Sequence, residues 1–248
     1  MEAPKEYTHQ YFLTAAECNA EKEMSVSLLA QRVIEVATEH ANILGVGYAD
    51  MAKDNHGWVL SRLTIEMKRF PSLNEEYSLT TWIEGFNRLY SERNMEVKGN
   101  NGETIGYIRS IWVAIDFETR KPVDLSTISW LAETISDRPC PIEKQGRMRP
   151  VNEPDRITSH SFQYSDIDFN RHVNSVKYID TILNLWELDF YDTHTISRFE
   201  IMYQKEAHSG EPVALLIKQD GNLSDIEICD DNGTITRAKI TFNDKKCR

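Results

Sequence analysis

The chain has no apolar run approaching the roughly 18 residues that a membrane-spanning helix needs, no C-x-x-C pair and no long basic stripe. Each absence excludes something. No spanning helix is expected. The four cysteines, Cys18, Cys140, Cys229 and Cys247, lie far apart, and with no secretory pattern they read as free thiols in a reducing compartment rather than as two disulfides. Cys247 sits one residue from the end, so it does not form a prenylation signal. The first residues, Met1-Glu2-Ala3-Pro4-Lys5-Glu6, match neither a signal peptide nor a transit peptide. A cytoplasmic location is the expectation, with no membrane partner. The net charge of −11 argues against nucleic acid as the main partner.

What is present is an ordinary globular mixture. Of 248 residues, 40% are hydrophobic and 27% charged, enough for one large domain or two of about 120 residues. Either version buries a core that needs no metal or disulfide to fold.

The chain reads as one unit written twice. Residues 24–44 carry apolar side chains at helical spacing (Leu28, Leu29, Val33, Val36, Ala37, Ile43). Strand-like runs follow at 58–70, 77–86, 90–98 and 104–116, with an Asn-Asn-Gly turn before the last. In the second half, Val176, Ile179, Leu183 and Trp186 predict a helix over 174–188. Strands are expected at 197–207, 213–218, 223–229 and 234–243, with Asp231-Asn232-Gly233 before the last. An α+β architecture follows, each half placing one helix on an antiparallel sheet. A short helix is expected near 128–135. Beyond it, Pro139, Pro141, Pro150 and Pro154 disfavour regular structure. The expected division is an N-terminal domain over 1–137, a linker over 138–154 and a C-terminal domain over 155–248.

The densest set of reactive side chains lies just before the second helix, from Tyr164 to Asn174. Asp168, Asn170 and His172 alternate, so in an extended segment they would face one side. Carboxylate, amide and imidazole together can bind, orient and deprotonate water, and the helix start beside them offers unpaired N–H groups for an oxyanion. Asp166-x-Asp168-x-Asn170 opens like a calcium loop, but Arg171 and Lys177 stand where that loop needs Gly and Glu. No Gly-rich phosphate loop accompanies it to make a metal–nucleotide site. Helix capping, by Asn174 or Ser175, is the plain alternative, and the residues alone leave capping and catalysis both open.

The segment Asp168-Phe169-Asn170-Arg171-His172-Val173-Asn174-Ser175-Val176-Lys177-Tyr178 resembles the signature of acyl-(acyl-carrier-protein) thioesterases, approximately D-x-N-x-H-V-N-N-V-K-Y. The first half is similar in order and spacing as well, through Trp58–Arg62, Arg69-Phe70-Pro71, Thr81-Trp82-Ile83 and Ser110-Ile111-Trp112-Val113. The resemblance extends over residues 8–243. It implies two tandem hot-dog domains, each a curved antiparallel sheet wrapped around a central helix. The implied reaction is hydrolysis of fatty acyl-(acyl-carrier-protein) thioesters, with no cofactor and no metal. It also implies a catalytic set of Asp168, Asn170, His172 and Glu206, the last matched through Tyr203-Gln204-Lys205-Glu206-Ala207. The plant-type cysteine after that glutamate is Ala207 here, which favours attack by water, with Glu206 or Asp168 as base; direct attack by a carboxylate is the alternative.

For the acyl chain, the N-terminal repeat offers Trp58, Leu60, Ile65, Trp82, Ile111 and Trp112, residues that equally suit the core of a sheet. The acyl carrier protein is acidic, so a basic dock is expected. Arg138, Lys144, Arg147, Arg149 and Arg156 are candidates, with Arg171 and Lys177 near the site; a solvated linker is the alternative for that segment. An acyl-CoA thioesterase, a hydroxyacyl dehydratase and a non-catalytic acyl-binding module are the competing functions. Monomer and homodimer both remain open.

Overall fold

In the computed structural model, which describes residues 4–245, the chain divides into two compact units, one ending at Lys144 and the other beginning at Gln145. In the first, β1 (Glu6–Phe12), β2 (His56–Met67), β3 (Glu76–Phe86), β4 (Ser91–Lys98) and β5 (Thr104–Asp116) pair antiparallel in the order β1-β3-β4-β5-β2. The helix α1 (Val26–Ile43) packs on this sheet and a short α2 (Tyr48–Met51) follows it. Ser25 caps α1 by accepting the Leu28 N–H. The buried face of α1 is Val26, Leu29, Ala30, Val33, Val36, Ala37 and His40, whereas Ile43, expected in that face, is exposed in the last turn.

The second unit repeats the plan. Here β6 (Arg156–Ser161), α3 (Ser175–Leu183), α4 (Leu188–Thr193), β7 (His194–Tyr203), β8 (Pro212–Asp220), β9 (Leu223–Asp230) and β10 (Gly233–Asp244) succeed one another. The strands run in the order β6-β8-β9-β10-β7, strand for strand the order of the first unit. Five antiparallel strands and a central helix in each unit make the chain an α+β protein of two hot-dog halves.

Several expectations change. The helix predicted over 174–188 stops at Leu183, where the Asn184 and Leu185 N–H groups close the last turn onto Asp180 and Ile182. Trp186 therefore lies outside α3, stacked on Phe190 and edge-on to Phe242. The strand predicted over 197–207 ends at Tyr203, because the Gln204 and Lys205 N–H groups both donate to the one carbonyl of Ile235 and the ladder cannot continue. The short helix near 128–135 is a 3-10 turn over Ser129–Thr134. Edge strands β1 and β6 have weak apolar alternation, with β6 mostly exposed, and went unpredicted for that reason. Cys18, Cys140 and Cys229 are free thiols; Cys247 lies outside the described residues. No helix among the described residues is long and apolar enough to cross a membrane.

Candidate active site

The polar cluster sits in a loop closed at both ends. A 3-10 turn over Tyr164–Asp166 leads in, with the Gln163 N–H donating to the Asp166 carboxylate at 2.8 Å. Ile167 and Val173 then form an isolated antiparallel bridge, and Asn174 caps α3 by accepting the Val176 N–H at 2.9 Å. Between these fixed ends the chain must reverse. The Asp168 N–H donates to the His172 carbonyl, and the Arg171 N–H to the Asp168 carbonyl. Arg171 takes a left-handed φ of 67°.

This is not the extended segment that alternation suggested. The Asp168 side chain folds back into the loop, where one carboxylate oxygen accepts the N–H groups of Asn170 (2.8 Å) and His172 (3.3 Å). Asn170 and Arg171 are exposed. The His172 imidazole is half-buried, and its Nε2 lies 3.4 Å from Glu206 Oε2. Glu206 stands three residues past the end of β7, on a segment fastened to the loop by the Val173 N–H donating to the Ala207 carbonyl at 3.0 Å. Histidine and glutamate, 34 positions apart in sequence, thus meet at ion-pair distance. Sequence reasoning missed His208, whose ring centroid lies 5.2 Å from that of His172; its place two residues after Glu206 was the available signal. Of the donors at the start of α3, the Val176 N–H is already taken by Asn174.

The same loop exists in the first unit without that chemistry. Thr14 and Glu17 form the lead-in capping box, Cys18 and Met24 the bridge, and Ser25 the cap. Asn19 occupies the place of Asp168: its side-chain oxygen accepts the N–H groups of Glu21 (3.1 Å) and Glu23 (2.9 Å), and its N–H donates to the Glu23 carbonyl. Lys22, in the place of Arg171, has a φ of 62°. The Met24 N–H donates to the Pro71 carbonyl as that of Val173 does to Ala207. By this correspondence Glu23 replaces His172 and Phe70 replaces Glu206.

The proposed acyl-binding residues divide between the two faces of the first sheet. Trp58, with its indole N–H on the Val46 carbonyl, packs on the cluster containing Leu44 and Ile83. Leu60 pairs in register with Trp112. Trp82 lies on the other face. Its neighbours Thr81 and Ile83 face α1, Thr81 through the buried Arg93–His40 contact, so alternation turns Trp82 to the opposite face. There it packs with Cys140, Ile142 and Tyr107 under the Arg138 guanidinium, 4.4 Å from the ring centroid.

The basic segment is also partly spent. Arg138 pairs with Glu6 and Glu96, Lys144 with Glu84 and Glu92, and Arg156 donates to the Leu185 carbonyl. Lys177 lies 3.3 Å from Asp180. The ion pairs of Arg138 and Lys144 fasten the 138–144 segment to its own sheet. Arg147 and Arg149 are exposed.

The model of the acyl-ACP thioesterase N-terminal domain matches residues 4–127, and that of the acyl-ACP thioesterase C-terminal domain matches residues 151–244. The chain belongs to the acyl-ACP thioesterase family. A crystal structure of an acyl-ACP thioesterase from Bacteroides thetaiotaomicron shares 34% identity with a TM-score of 0.89, covering 96% of this chain and 98% of that one. The oleoyl-acyl carrier protein thioesterase 2 of Arabidopsis thaliana, a chloroplastic protein, is 23% identical over 98% of this chain and 71% of its own length. The chloroplastic palmitoyl-acyl carrier protein thioesterase of Gossypium hirsutum is 25% identical over 81% of this chain, and the match spans about half (52%) of that relative's length.

Proposed function

We propose that the chain hydrolyses acyl-(acyl-carrier-protein) thioesters, releasing free fatty acid and ending chain elongation. The observation that carries the reading, beside family membership, is the approach of His172 Nε2 to Glu206 Oε2 at 3.4 Å. Glu206 is assigned as base: it takes a proton from water as the water oxygen bonds to the thioester carbon. The tetrahedral intermediate then expels the pantetheine sulfur, which receives that proton and leaves as thiol. His172 orients Glu206 and the water, and the Asn170 amide donates to the carbonyl oxygen.

Asp168 is assigned to holding the loop. One of its oxygens already carries two backbone N–H groups, and Asn19 makes the same pair of bonds with no charge at all. A cysteine mechanism is not favoured. Ala207 occupies the relevant position, and burial pushes the thiols of Cys18, Cys140 and Cys229 up, away from thiolate.

Trp58, Leu60 and Trp112 are proposed to line the acyl chain. Arg147, Arg149 and Arg171 are proposed to meet the acidic carrier protein, the linker running through 145–154. Thiol release from one acyl group carried by acyl carrier protein and by CoA tests the reading. Higher kcat/KM on the carrier protein is expected. Faster turnover of the CoA ester would move the assignment to an acyl-CoA thioesterase, and binding without thiol release would reduce the protein to an acyl-binding module.

A further inference from the structure

Glu206 lies beyond the end of its strand, so something other than the sheet must hold it against His172. Two hydrogen bonds fix Ala207, the residue that follows it, one on each side. The Ala207 carbonyl accepts from the Val173 N–H at 3.0 Å, and the Ala207 N–H donates to the Tyr178 hydroxyl at 3.1 Å. Tyr178 is on the first turn of α3 and is itself well fixed. It is 3% exposed, with Phe162 and Tyr203 edge-on to its ring. The Tyr203 hydroxyl donates in turn to the Ser175 carbonyl at 2.9 Å.

The first unit shows which of these contacts the fold requires. There the carbonyl bond is kept, from Met24 to Pro71. The second bond has no counterpart: the position of Tyr178 is Leu29, fully buried, and that of Ala207 is Pro71, which has no N–H to give. A buried apolar residue at that point of the helix therefore suffices for packing. The hydroxyl and its donor occur in the unit that carries histidine and glutamate.

We propose that Tyr178 is a positioning residue for the reaction, its hydroxyl holding the Glu206–Ala207 peptide so that the Glu206 carboxylate stays in reach of His172 and the attacking water. This rests on the assignment of Glu206 as base. Burial, with the nearby charges of Glu206 and Asp168, holds the Tyr178 phenol well above its ordinary range despite the Ala207 N–H it accepts, so the hydroxyl stays protonated across the working pH.

The test compares Tyr178→Phe, which removes the acceptor, with Ala207→Pro, which removes the donor and copies Pro71, and with the double variant. Thermal melting checks that each is folded, and thiol release from acyl carrier protein is the readout. Each single change is expected to lower kcat about tenfold at an unchanged KM, the scale of one hydrogen bond. The double variant is expected to lose no more than either alone, because both remove the same bond. Should Ala207→Pro fail to fold, Tyr178→Phe combined with Glu206→Gln replaces the cycle, with no further loss expected. Wild-type kcat in Tyr178→Phe, additive losses, or a loss carried by KM would overturn the proposal. Wild-type turnover in Glu206→Gln alone would instead overturn the assignment of the base.

Discussion

The loops over residues 14–25 and 163–174 share the hydrogen bonds that reverse and anchor the chain and differ in their residues. Each has a capping box, a two-residue bridge, a left-handed residue and a cap, and each is anchored by one N–H to the segment after the first long strand. What both loops share is scaffold, since the first performs it with Asn19, Glu21 and Glu23. What differs is the pairing of His172 with Glu206, where the first unit has Glu23 and Phe70, and the hydroxyl that Tyr178 offers to Ala207. The comparison separates the motif residues more sharply than the motif itself does: the bonds that Asp168 makes recur at Asn19, whereas the approach of His172 to Glu206 has no counterpart in the residues of the first loop, which is the ground for proposing His172 and Glu206 as the reacting pair.

The largest expected effect comes from giving the second loop the first loop's residue. His172→Glu keeps the loop, because its bonds use the backbone of residue 172, yet it should lower kcat by roughly 10²–10⁴. Circular dichroism and melting close to wild type would show that the scaffold survived. A rate within tenfold of wild type would break the comparison. Next, Asp168→Ala strips the loop of a side-chain acceptor for two N–H groups and should cost about 1–2 kcal/mol of stability. Denaturant unfolding measures it.

Asn19→Ala should cost a similar or slightly smaller amount, about 1 kcal/mol, with kcat unchanged. A fall in kcat in that variant would mean that the first loop is not merely scaffold.

The smallest effect concerns the first unit's buried polar pair. His40 is fully buried, accepting from Arg93 at Nδ1 and reaching the Pro4 carbonyl through Nε2. Burial, with the Arg93 charge beside it, lowers its pKa from 6.5 to about 4. The unfolded chain therefore takes up this proton first. The contribution is fully present above about 6.5 and is lost as pH falls towards about 4, by on the order of 2–3 kcal/mol at most. His40→Asn should flatten that part of a stability–pH curve, and an unchanged slope would contradict the account.

Much of this was legible in the sequence. The repeat, both central helices and eight of the ten strands among the described residues follow from apolar spacing and Asx-Gly turns, and the family signature directs attention to Asp168, Asn170, His172 and Glu206. The two edge strands were not legible, because β6 is stabilised by its ladder with β8 rather than by a buried face. The place of Trp82 was hidden as well. Composition marks a tryptophan as buried, but only register reveals that the 138–142 segment covers it from outside. Nor does a signature distinguish a carboxylate that reacts from one that folds a loop. Asp168 and Glu206 look alike in sequence, and what the structure adds is that one Asp168 oxygen accepts the N–H groups of Asn170 and His172.

That distinction is tested most directly by measuring kcat for Asp168→Asn and Glu206→Gln side by side on the same acyl-(acyl-carrier-protein) substrate. Asparagine can accept the same two N–H groups, as Asn19 does, so Asp168→Asn should stay within about tenfold of wild type, whereas Glu206→Gln should fall by roughly 10²–10⁴. The reverse order, with Asp168→Asn the more damaged enzyme, would contradict the assignment of Glu206 as base.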